Sequence, residues 1–106
     1  NWFLSGQKTH SFVILHIEAV HLMNPEKVLR QIVQGKKGIR FSDFMRLVEA
    51  FGFTLDRVSG SHHIFKREGI EEMVNIQEYK GEAKPYQIRQ FLEIIEKYGL
   101  SLEERE

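Results

Sequence analysis

The stretch Thr54-Leu55-Asp56-Arg57-Val58-Ser59-Gly60-Ser61-His62-His63-Ile64-Phe65-Lys66 decides the fold. Strand-forming residues recur at short period on both sides of Gly60-Ser61, so it reads as two strands, Thr54 to Ser59 and His62 to Lys66, joined by a tight glycine link. Gly69 and a third run, Met73 to Gln77, extend this hairpin into a three-stranded antiparallel meander. Outward from it the period lengthens on both sides. Before the meander, Phe44, Leu47, Val48 and Phe51 share a helical face, with Ser42 placed to cap the helix and Gly52 to stop it. After it, Pro85 opens a helix whose Ile88, Phe91, Leu92, Ile95 and Tyr98 form an apolar stripe ended by Gly99.

A further helix stands in front. Asn24-Pro25-Glu26 has the form of an N-cap, a proline at the first helical position and an acid in the first turn. Val28, Leu29, Ile32 and Val33 follow on one face, Gly35 is placed to end the helix in a left-handed cap, and Lys36-Lys37-Gly38 makes a basic turn. The expected fold class is therefore α+β, an α-β-β-β-α order with an additional N-terminal helix and two helices packed on one face of the sheet. The first methionine, Met23, directly precedes the first helix start, so residues 1–22 are expected to be an appendage and 23–106 a single domain with its core at 41–100. His10, His16 and His21 in that appendage match no metal-ligand spacing.

Bulk properties narrow the function classes. A chain of 106 residues holds one compact domain with a modest core, and 42% hydrophobic with 28% charged residues is the composition of a globular protein. With no cysteine, disulfides and thiolate metal sites are excluded. The longest apolar stretch, Phe12 to Leu22, is broken by His16, Glu18 and His21 and falls short of the roughly 20 residues of a membrane span. It also lacks the basic front and cleavage site of a signal peptide, so the expected location is cytoplasmic. A net charge of zero argues against a sequence-blind polyanion binder. The charge is unevenly spread, however: Lys27, Arg30, Lys36, Lys37 and Arg40 outnumber Glu26, while Glu103, Glu104 and Glu106 outnumber Arg105. Local basic patches are thus compatible with a neutral whole.

The segment from Phe41 to Leu100 resembles the HicA family, toxins of bacterial toxin-antitoxin pairs. The resemblance is carried by Phe51-Gly52-Phe53, by Arg57-Val58-Ser59-Gly60-Ser61-His62-His63-Ile64-Phe65, and by Ala83-Lys84-Pro85-Tyr86-Gln87-Ile88-Arg89-Gln90. It implies a double-stranded-RNA-binding-domain-like fold and a metal-independent endoribonuclease, an mRNA interferase, that works through the histidine of a Gly-Ser-His signature. It also implies a partner antitoxin of the HicB type. Family members commonly follow the third strand with a Pro-x-His element, where this chain has Asn75-Ile76-Gln77-Glu78-Tyr79.

Cutting RNA requires removal of a 2′-hydroxyl proton, and histidine is the residue type suited to that task near neutral pH. His62, directly after Gly60-Ser61, is the first candidate for the catalytic base. Gly60 and Ser61 support the turn and leave the main chain open to a phosphate, and His63 is a supporting strand residue. Strand alternation places His62 and His63 on opposite faces and Lys66 on the face of His62, where its charge suits a developing phosphorane. Lys84 and Arg89, at the start of the last helix, are candidate RNA-phosphate contacts, and Tyr86 is either a base-stacking or a core residue. Nothing in the pattern calls for a metal or an organic cofactor. The competing readings are a catalytically inactive RNA-binding module and a protein-interaction module of the same fold. A binder needs Lys84, Arg89 and the 36–40 patch but tolerates loss of His62, whereas an interaction domain tolerates loss of both.

Overall fold

A computed structural model describes residues 24–102. The expected appendage 1–22, with its three histidines, lies outside the described residues. Helix α1, Pro25–Val33, begins as its sequence dictates: Asn24 Oδ1 accepts the Glu26 N–H at 2.7 Å, with proline at the first helical position. Gly35 follows its end at φ +84°, the left-handed conformation that glycine adopts at least cost. The helix buries Val28 and packs on α2, Phe41–Ala50.

Ser42 does not cap α2. Arg40 occupies the cap position without a side-chain bond, and the Phe41 N–H donates instead to the Gly81 carbonyl at 2.9 Å. Arg40 also forms a bridge with Glu82, so the helix departs directly from the sheet edge, and the carbonyl of a residue between β3 and β4 satisfies an amide that a cap would have served.

The strands are β1, Thr54–Ser59, β2, His62–Lys66, β3, Val74–Tyr79, and β4, Glu82–Ala83, in the spatial order β1-β2-β3-β4 with antiparallel neighbours. The third strand runs on to Tyr79 rather than ending at Gln77, and the fourth strand corrects the expected three-stranded meander. Only two residues of β4 pair before Pro85, too few to display a strand period. Its signal lies in the turn: Lys80 and Gly81 have φ of +52° and +81°, the paired positive angles of a two-residue hairpin loop.

Helix α3, Pro85–Tyr98, closes the core. Phe91 is fully buried, with Phe44, Phe51 and Phe53 edge-on to it at ring-centre distances of 5.6, 5.6 and 5.8 Å. These rings come from α2, the segment after it and α3, so one aromatic cluster ties both helices together. Beneath them Phe65, Val74, Ile76 and Ala83 are buried from the sheet. By alternation the opposite, open face carries His62, Ile64 and Lys66 of β2 and Asn75, Gln77 and Tyr79 of β3. The loop before β3 is strapped to the far end of α3, where Glu72 accepts from Lys97 Nζ and from the Tyr98 hydroxyl, each at 2.6 Å. Donation by Lys97, then by Tyr98, holds the Glu72 carboxyl down at about 2. Three helices on one antiparallel four-stranded sheet give the expected α+β, double-stranded-RNA-binding-domain-like fold with its additional helix in front. Among the described residues no helix is long and apolar enough to cross a membrane.

Candidate functional site

The β1–β2 turn is Gly60-Ser61. Gly60 sits at φ +62°, and a Cβ built there meets nothing within 4 Å, so backbone conformation rather than crowding selects glycine. The same emptiness leaves the main chain of the turn accessible. Beyond it the two histidines diverge as alternation requires, and each is partly buried in different company.

On the open face, His62 pairs across the ladder with Gln77, and its Nδ1 lies 3.1 Å from Asn75 Oδ1. With Asn75 presenting its oxygen, Nδ1 donates and Nε2 is left as the acceptor. Gln77 gathers the rest of the cluster: its Nε2 donates to Ser61 Oγ at 3.2 Å, and its Oε1 accepts from Lys84 Nζ at 3.2 Å. The Gln77 main-chain N–H, one residue before the β3–β4 ladder, donates to Gln87 Oε1 at 2.7 Å. Buried Gln87 thereby satisfies a strand amide that short β4 does not reach. Its Nε2 also donates to the hydroxyl of exposed Tyr86 at 3.4 Å, so Tyr86 stands at the edge of this cluster rather than in the core.

On the helix-covered face, His63 lies opposite fully buried Ile76 and places its ring 5.0 Å from Phe41, edge to face at 66°. Its Nδ1 is 3.3 Å from the Ser61 carbonyl oxygen. A carbonyl only accepts, so Nδ1 carries the proton and Nε2 the lone pair.

The remaining candidates are dispersed. Lys66 shares the face of His62, but its ammonium is engaged by Asp56 at 3.0 Å, at the bulge between Leu55 and Arg57. Hydrogen bonds from Lys66 and then Arg57 hold the Asp56 carboxyl below its ordinary value. Lys84 reaches the hairpin cluster through Gln77, whereas Arg89 lines a groove with Lys36 and Lys37. Among the described residues no three His, Cys, Asp or Glu side chains converge as a metal site would require.

Three supporting residues, Asn75, Gln77 and Gln87, escape the sequence reading. Gln87 carried a signal in its own helix, because it falls four residues before Phe91 on the apolar stripe, a polar side chain at a core position. Asn75 and Gln77 look like ordinary outward strand residues until the ladder sets them beside the turn.

A family model described as HicA toxin of bacterial toxin-antitoxin matches residues 41–97, which run from the first residue of α2 almost to the end of α3. No curated protein and no solved structure matches the chain. The match covers more than half of the 106 residues and contains the hairpin, the sheet and both core helices, so the chain belongs to the HicA toxin family, the toxin half of bacterial toxin-antitoxin pairs.

Proposed function

We propose that the chain is a cytoplasmic, metal-independent endoribonuclease that cuts mRNA with a histidine of the β1–β2 hairpin as general base, and that a HicB-type antitoxin holds it inactive. The observation that carries this reading is the hairpin itself. An open glycine turn presents imidazole rings whose Nδ1 atoms are engaged and whose Nε2 atoms are left to accept a proton. In the first reading the base is His62: its Nε2 removes the 2′-hydroxyl proton, the oxygen so activated attacks the adjacent phosphorus, and the bond from phosphorus to the 5′-oxygen breaks, leaving a 2′,3′-cyclic phosphate and a 5′-hydroxyl that takes its proton from water. Ser61 and Lys84, held through Gln77 on the same side, steady that phosphate, with Arg89 and Lys66 as further RNA contacts. Residues 23–106 act as one domain in this reading, and 1–22 are an appendage.

A specific observation favours a second assignment of the base. His63 Nδ1 faces a main-chain carbonyl, which cannot turn as the Asn75 amide beside His62 can, and its ring packs edge-on to Phe41. The same cleavage assay serves both assignments. Purified wild type should cut a single-stranded mRNA fragment in the presence of a chelator, and the chain with both His62→Ala and His63→Ala should not. Expression of the wild type should arrest growth, with relief by the cognate antitoxin. Cleavage undiminished in the double variant would overturn the histidine mechanism. A folded wild type that leaves RNA intact would return the chain to a binding or interaction role.

A further inference from the structure

Between the basic turn after α1 and the first turns of α3 lies a cavity of about 240 Å3. Ile32 and Ile39 on one side and Ile88 and Leu92 on the other give it an apolar floor, while Lys36, Lys37 and Arg89 stand at its rim. Among the described residues the only acid in the lining is Glu82. Among the described residues the ion pairs engage Arg57, Lys66 and Lys97, and none of the three rim cations. Half of the cavity wall, residues 32–39, lies outside the segment the family model matches, so the additional helix and its turn create a feature that residues 41–97 do not build alone.

We infer that this groove binds one nucleotide of the RNA strand away from the cut, with the base on the aliphatic floor and the phosphate at Lys36, Lys37 and Arg89. The inference rests on the ribonuclease reading above. A nucleotide combines a flat, weakly polar face with an anion, and the groove offers a complement to each. Among the described residues three cations against one carboxylate leave the lining net positive. The start of α3 links the groove to the hairpin. Pro85 lines it, while the adjacent Lys84 reaches Gln77 beside His62. A strand lying over the turn therefore passes the N-terminus of α3, where the helix dipole favours phosphate, before it enters the groove.

The test uses the full chain carrying His62→Ala and His63→Ala, so that the probe survives, and a short fluorescently labelled single-stranded RNA read by anisotropy. Adding Lys36→Ala, Lys37→Ala and Arg89→Ala should weaken binding about tenfold or more and lower the slope of log K against log salt by about two. Adding Glu82→Gln instead should tighten binding. An abasic probe of equal length should bind the parent more weakly than RNA does, and Ile32→Ser should narrow that gap. Unchanged affinity and slope in the triple lysine and arginine variant would overturn the groove site. So would a loss confined to antitoxin affinity, which would make the groove a protein-docking surface. The two readings fail separately: if the wild type cuts RNA and the groove substitutions have no effect, only the groove inference falls, whereas if the wild type neither cuts nor binds RNA, both fall.

Discussion

The open and helix-covered faces of the sheet are made from the same strands, and β2 contributes alternate residues to each. On the open face, side chains hold one another: Asn75 holds His62, and Gln77 joins Ser61 to Lys84. On the covered face they are held by packing, with Phe65 and Ile76 buried and the His63 ring lodged against Phe41. A hydrogen-bonded polar face in water contributes little net stability but fixes directions, whereas buried rings contribute stability through the contacts they fill. Substitution on the first face should therefore be read in function, and on the second in stability.

The largest expected effect divides the two histidines. If the base is on the open face, His62→Ala lowers the cleavage rate by about 10²–10⁴ and changes stability by less than about 0.5 kcal/mol. His63→Ala would then retain cleavage and lose about 0.5–1.5 kcal/mol with its edge-on ring contact. Cleavage assays and thermal melts of both variants decide the matter. Loss of cleavage with His63→Ala and its retention with His62→Ala would move the base to the covered face and confirm the second assignment.

A smaller effect is expected where the faces meet. Gln87→Ala leaves the Gln77 N–H without its acceptor and should cost about 1–3 kcal/mol in denaturant unfolding. A cost near zero would show that water replaces the buried amide. The smallest effect lies farthest from the hairpin. Because Glu72 titrates at about 2 in the folded chain against an ordinary 4.5, its strap stabilises fully above about pH 4.5 and is lost as pH falls through about 2. The stability gap between wild type and Glu72→Gln should therefore be constant near neutrality and close on acidification. Both partners face water, so added salt should shrink it as well. A gap that widens in acid would contradict the strap.

Much of the fold was legible because its signals are local. The bounds of β1 and β2, the proline that opens α3, and the glycines at positions 35, 60 and 99 follow from steric preferences acting within a few residues. Ser42 misled because its local capping propensity was outweighed by Gly81, forty residues away in the chain, whose carbonyl took the Phe41 amide. β4 escaped because two paired residues show no period.

By itself the sequence determined the turn between β1 and β2, most of the apolar stripe of each helix, with Val33 the exception because it is exposed, and that His62 and His63 must face opposite ways. Tertiary structure alone decided what each histidine meets. Residues 13 to 16 positions apart, Asn75 with His62 and Gln77 with Ser61, become neighbours only through the strand register. The groove exists only because α1 and its basic turn stand beside α3. The physical reason is one of range: backbone sterics and periodicity act along the chain, whereas the partner of a polar side chain is chosen by the packing of the whole core, which no short window of sequence contains.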